Sequence, residues 1–218
     1  MPNKTFGLLL PNRRNFAKAM YTFIGYVFPF DVSNYSDKQE IRRKLGYGND
    51  PLLICSLGGT AIGKELLELC GKAYTIAKYK IPDLKAVFVT GPRLAEDSLN
   101  LPENIELRGF VPNLYEHFAA CDLAIVQGGA TSTLELTALR KPIIYFPLEG
   151  HCEQANVSRI LQQRGSGIKS RLSKTTPDLL ADQIIKIIGS NVTYPEIPKA
   201  GAQKAAQYLA ELLEKFAK

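Results

Sequence analysis

The sequence is poor in histidine and cysteine and has no long apolar run, and each shortage removes a class of function. Its two histidines, His117 and His151, stand too far apart to suggest a histidine metal site. The four cysteines, Cys55, Cys70, Cys121 and Cys152, form no C-x-x-C pair, so they read as buried reduced thiols rather than zinc ligands or disulfides. No D-x-D pair is present to hold a divalent ion, and the expected metal set is none. No segment approaches the roughly 18–20 apolar residues that span a bilayer. The start has one lysine and a short apolar run before Pro11, a poor secretory signal, so a cytoplasmic protein is expected. No basic run interleaved with aromatics would stack bases, which argues against nucleic acid as a partner.

What is present is a full core. Hydrophobic residues make up 45% of the 218 positions and charged residues 22%, the balance of a soluble globular chain. The net charge of +6 is concentrated early, at Arg13, Arg14, Lys18, Lys38, Arg42, Arg43 and Lys44. That excess is either a solvated face or a contact for an anionic partner, such as a phosphorylated ligand or an acidic membrane surface.

Residues 1–35 are expected to form an N-terminal tail or linker, with Phe6–Leu10 as one strand. A helix is expected from Ser36, its N-cap, to Leu45. From Leu52 the chain alternates between buried strands and helices. Strands are expected at 52–57, 84–90, 105–111, 123–127, 143–146 and 167–170. Helices are expected at 64–80, 114–120, 133–139, 152–164, 177–188 and 201–217. Strands that are apolar throughout and alternate with helices predict a doubly wound, Rossmann-like parallel sheet of about six strands. Ligands of such sheets bind beyond the carboxyl ends of the strands.

The polar residues of interest follow strands. Gly58-Gly59-Thr60 opens a glycine-rich loop that suits either a tight packing turn or a close ligand approach. It lacks the G-x-G-x-x-G spacing, and no acidic residue closes the second strand, which disfavours a nicotinamide dinucleotide. Gln127-Gly128-Gly129-Ala130-Thr131-Ser132-Thr133 places two glycines and three hydroxyls at a helix start. Such a start can cradle a diphosphate without a metal, although Thr131–Thr133 would also serve as N-caps. Glu135 could accept the two hydroxyls of a ribose or simply complement the helix dipole. Glu153 and Gln154, opening the next helix, could bind sugar hydroxyls or face solvent.

Taken together these residues resemble the donor-binding, C-terminal half of GT-B glycosyltransferases, of the family 28 and family 1 UDP-sugar type. The matching stretches are Phe110-Val111-Pro112-Asn113, Gln127 through Glu135, Lys141-Pro142, and Pro147 through Asn156. The resemblance implies that Phe110 and Val111 lie by the nucleobase, that Gly128, Gly129, Thr131 and Ser132 hold the diphosphate, and that Glu135 binds the ribose. It places Glu153 and Gln154 on the donor sugar and Gly58, Gly59 and Thr60 facing the cleft. Gln127 stands where the family often has a histidine, so the leaving group would rely on backbone amides and a basic residue such as Arg93.

The function implied is transfer of a hexose from a nucleotide-sugar, a UDP-sugar above all, to an acceptor hydroxyl. The domain from 36 to 218 would be the nucleotide-sugar-binding part. The acceptor-binding domain of the family has no counterpart in the chain and is expected as a partner subunit or a further part of a longer gene. The alternatives are a nucleotide-sugar-binding module without turnover and another enzyme of this fold, such as a nucleotide-sugar epimerase. An apolar patch on the tail or docking face would allow self-association or peripheral membrane contact.

Overall fold

The computed structural model describes residue 15 and residues 19–57, 63–95 and 98–216. The expected strand at Phe6–Leu10, the loop Gly58-Gly59-Thr60 and the end of the last helix at Ala217 lie outside the described residues. The chain divides into two units, one of residues 32–195 and one of residues 1–31 with 196–218.

In the larger unit, α1 (Lys38–Leu45) leads to β1 (Leu52–Ser56), α2 (Gly63–Lys80), β2 (Lys85–Val89) and β3 (Glu106–Arg108). There follow α3 (Leu114–Ala120), β4 (Leu123–Val126), α4 (Ala130–Ala138), β5 (Ile143–Tyr145), α5 (Cys152–Gln163), β6 (Ile168–Lys169) and α6 (Pro177–Ile187). The six strands form one sheet in the order β3-β2-β1-β4-β5-β6, and every pair is parallel. The fold class is therefore the doubly wound sheet that the alternating pattern predicts. The direction of winding reverses between β1 and β4, where Ser56 pairs with Val126.

Apolar residues on both faces of the strands force helices onto both faces. Leu53, Cys55, Phe88, Leu123 and Ile125 pack in one cluster with Leu66, Leu67, Cys70 and Tyr74 of α2 and with Leu180, Ala181 and Ile184 of α6. Helices α1, α3, α4 and α5 pack side by side in that sequence. Gly71 lies within the unbroken helix α2, where a β-carbon would lie 2.8 Å from Leu101 Cδ2, so the close approach of the 99–102 segment accounts for a residue of poor helix propensity there.

Several boundaries depart from expectation. Asp37, not Ser36, caps α1: its Oδ1 accepts from Gln39 N at 2.9 Å and Glu40 N at 3.0 Å. Helix α4 starts three residues earlier than expected, so Thr131–Thr133 lie inside it rather than before it. The expected buried state holds for Cys55, Cys70 and Cys121, whereas Cys152 is exposed at the start of α5.

At the amino ends of the strands a polar cluster holds β1, β4 and α1 together. Asp122 accepts from Leu52 N at 2.8 Å and pairs with Arg42 and Lys38, while Arg42 Nε donates to Ala120 O at 2.9 Å. Burial alone would push the Asp122 carboxyl up. The hydrogen bonds from Lys38 and Leu52, with the Arg42 charge, outweigh it and hold the carboxyl below its ordinary range.

In the smaller unit, Tyr26 N donates to Pro198 O at 3.0 Å and Gly201 N to Tyr26 O at 3.1 Å. Helix α7 (Gly201–Phe216) begins there and carries the exposed side chains Leu209, Leu213 and Phe216.

Candidate functional site

The reversal of winding leaves a crevice at the carboxyl ends of β1 and β4, the place where such sheets take ligands. A cleft of about 520 Å³ opens there. Its walls are Glu65 and Leu66 of α2, Gln127 after β4, the run from Phe146 to His151 after β5, and Leu172 with Ser173. Ser173 Oγ donates to Glu149 Oε1 at 3.2 Å, joining two of these segments. No lysine or arginine is among the described residues lining the cleft; Arg93 sits exposed on the turn after β2.

Gln127-Gly128-Gly129 carries β4 into α4. Gly128 has φ +86°, and a β-carbon on it would lie 3.3 Å from Pro147 Cα, so the loop leans on the segment that leaves β5. Gly129 is the N-cap of α4, with no side chain closing the helix start and no acidic residue in the first turn. By contrast, Asp37, His151 and Thr176 close the starts of α1, α5 and α6. The first-turn amides of α4 are therefore left without a side-chain acceptor, at the positive end of the helix dipole. Thr131 is exposed and Ser132 half-buried. Thr133 is turned inward, its Oγ1 donating to Gly129 O at 2.7 Å.

Glu135 follows one turn later on α4. It is 7% exposed, and among the described residues nothing hydrogen-bonds or pairs with its carboxyl. Burial pushes that carboxyl up to about 7. A buried carboxyl without a partner is costly, and the cost falls when two donors, such as vicinal hydroxyls, reach it.

Phe110 and Val111 lie after β3, at the same end of the sheet. Phe110 is 71% exposed and Val111 half-buried. Asn113, left-handed at φ 53°, turns the chain into α3, which packs beside α4. His117, further along α3, takes no part. It is buried, its Nδ1 2.7 Å from Tyr47 Oη, and burial with the Arg108 charge pushes it below its ordinary value.

After β5, Gln154 is buried and its Oε1 accepts from Leu148 N at 2.7 Å. His151 Nδ1 accepts from Gln154 N at 3.4 Å, closing the start of α5. Glu153 is exposed in the first turn of α5.

Comparison with known proteins shows the family to which the chain belongs. Residues 53–213 match the family model described as glycosyltransferase family 28 C-terminal domain. The chain belongs to that family. It is similar to the UDP-N-acetylglucosamine--N-acetylmuramyl-(pentapeptide) pyrophosphoryl-undecaprenol N-acetylglucosamine transferase of Carboxydothermus hydrogenoformans, at 28% identity over 165 residues, 72% of this chain and 44% of that protein. The protein of the same name from Exiguobacterium sibiricum is 32% identical over 190 residues, 81% of this chain and 50% of that one. The chain thus spans about half the length of these relatives. Among solved structures, MurG of Acinetobacter baumannii shares the fold, with a TM-score of 0.56 at 19% identity over 86% of this chain and 57% of that one.

The site residues singled out in the sequence lie, among the described residues, in the loops after β3 and β4 and on α4 and α5. Glu65, Leu66, Leu172 and Ser173 were not singled out in the sequence, because none lies in a motif. They reach the cleft only because α2 starts, and β6 ends, at the same edge of the sheet.

Proposed function

We propose that this domain grips the nucleotide-sugar donor, a UDP-sugar, for a glycosyltransferase that moves the sugar onto an acceptor hydroxyl. The observation that carries the reading is the pairing, on one short helix, of an uncapped N-terminus behind Gly128-Gly129 with the buried, unpartnered Glu135. The first meets the chemistry of a diphosphate and the second that of a ribose. Phe110 and Val111 would flank the uracil, Gly58-Gly59-Thr60 the diphosphate, and Glu153 with the Nε2 of Gln154 the sugar. The names of the transferase relatives support a UDP-sugar donor.

In the transfer, the acceptor oxygen bonds to the anomeric carbon as the bond from that carbon to the diphosphate breaks. The charge left on the diphosphate would be met by the α4 amides, Thr131, Ser132 and the helix dipole, with Gln127 as a neutral donor and no divalent ion. The proton of the acceptor would pass to a base outside this chain, on an acceptor-binding half supplied by a partner or a longer polypeptide. The relatives' lipid-linked acceptor would bring the assembly to a membrane surface, and no described helix is long and apolar enough to cross one.

Titration calorimetry with UDP, UDP-sugars and other nucleotides tests the reading. UDP and a UDP-sugar are expected to bind in the micromolar to millimolar range. Failure of both at millimolar concentration would remove the donor assignment. Hydrolysis or transfer by the isolated chain would instead rule out the second reading, a sensor without turnover.

A further inference from the structure

The stretch after β5 connects the proposed sugar motif to the proposed diphosphate loop. Three contacts link them in series. Gln154 Oε1 accepts from Leu148 N at 2.7 Å, and Leu148 O accepts from His151 N at 3.4 Å, so both backbone groups of Leu148 are held. Leu148 follows Pro147, whose rigid ring fixes the chain direction. Pro147 in turn is the surface on which Gly128 rests: a β-carbon on Gly128 would meet Pro147 Cα at 3.3 Å, its N at 3.4 Å and its Cβ at 3.5 Å. Gly128 and Gly129 then deliver the uncapped start of α4.

Gln154 is buried, and its carbonyl oxygen is already engaged. Only its Nε2 remains to donate to a sugar. A side chain whose acceptor holds a backbone amide has a second role besides any sugar contact.

We infer that Gln154 is a positioning residue for the diphosphate site: through Leu148 and Pro147 it sets where Gly128-Gly129 and the first turn of α4 stand. The inference rests on the reading of the α4 start as the diphosphate site. It separates Gln154 from Glu153, which is exposed and holds no part of this loop. Loss of the Gln154 carbonyl frees Leu148 N, loosens the 147–150 turn and removes the backing of Gly128. The penalty then falls on nucleotide binding whether or not a sugar is attached.

The test compares the wild-type chain with Gln154→Ala and Gln154→Glu. A glutamate keeps an acceptor for Leu148 N but loses the Nε2 donor. Without ligand, amide NMR should show faster hydrogen exchange at Leu148 and displaced Gly128 and Gly129 signals in Gln154→Ala, restored in Gln154→Glu. With ligand, Gln154→Ala should weaken UDP and a UDP-sugar by the same factor, roughly five- to tenfold, with UDP affinity recovered in Gln154→Glu. Unchanged Gly128 and Gly129 signals would overturn the inference, as would a loss confined to the UDP-sugar. If wild-type protein fails to bind UDP, the diphosphate reading falls, while the ligand-free signals still decide whether Gln154 positions Gly128. Thermal unfolding of each variant separates a local change from a failure to fold.

Discussion

Arg42 Nη2 lies 2.5 Å from Asp122 Oδ2, and Arg42 is only 2% exposed. The same guanidinium reaches Ala120 O, Gly48 O and Asp50 O, so its donors are spent on the joint between α1, β1 and β4. This joint is at the amino ends of the strands, opposite the cleft, and it holds α1 to β1 and β4.

Asp122→Ala would strand that buried guanidinium and leave Leu52 N without its acceptor. A loss of about 3–5 kcal/mol is expected in urea unfolding, typical of removing one partner of a buried ion pair. The carboxyl is held below its ordinary value in the folded protein. Its contribution is therefore complete above the unfolded carboxylate range and is lost as pH falls below it. The wild-type advantage over Asp122→Ala should shrink toward pH 3. Affinity for UDP, measured where the variant is still folded, should be unchanged.

Gly128→Ala tests the close approach to Pro147. Its φ of +86° and the 3.3 Å contact both oppose a β-carbon. The strain costs roughly 1–2 kcal/mol before any displacement of Pro147. UDP affinity should fall tenfold or more. Gly129→Ala is the control for stability: a β-carbon there meets nothing within 4 Å, and its φ of −65° is ordinary. Its unfolding free energy should stay within about 0.5 kcal/mol of wild type. Equal destabilisation by both variants would refute the packing argument.

Glu135 makes stability and binding depend on pH in opposite directions. Burial raises its folded value to about 7 from 4.5 in the unfolded chain. Its favourable contribution to stability is complete below pH 4.5 and is lost as pH rises through 7, because an unpartnered carboxylate must then stay buried. Glu135→Gln should match wild type near pH 5 and exceed it near pH 8 by about 1–2 kcal/mol in chemical unfolding. Ribose hydroxyls donate best to the ionised form. Wild-type affinity for a UDP-sugar, whose diphosphate does not titrate near neutrality, should therefore rise between pH 6 and 8. Glu135→Gln should bind more weakly by roughly 1–3 kcal/mol and show no such rise.

The sheet was readable in the residues because burial on both faces leaves a parallel strand no polar positions: Leu52–Cys55, Ala86–Val89 and Leu123–Val126 are apolar without alternation. The helix of Leu114–Ala120 was readable to the residue. Helix α4 was not. Its start at Ala130 follows from Gly129 acting as the cap, and three hydroxyls in a row at 131–133 had offered the capping role to the wrong residues. Ser36 lost the cap of α1 for a similar reason: its neighbour Asp37 offers a carboxylate oxygen that reaches two amides, while Ser36 Oγ turns to Ser33 O.

The chain by itself determined which residue types follow which strands: glycines and hydroxyls after β4, a glutamate one turn on, an aromatic after β3, an amide after β5. Those are local properties, set by spacing along one segment. Only the tertiary structure decided what each does to the others. The order β3-β2-β1-β4-β5-β6 brings the ends of β1 and β4 together, and parallel pairing of β4 with β5 lays Pro147 against Gly128. Contacts between segments depend on register across the sheet, which no single stretch of sequence encodes. Glu135 shows the difference most clearly. Its position was evident from spacing, but its isolation, and the raised proton affinity that follows, exist only once α3, β4 and β5 have closed around the helix that carries it.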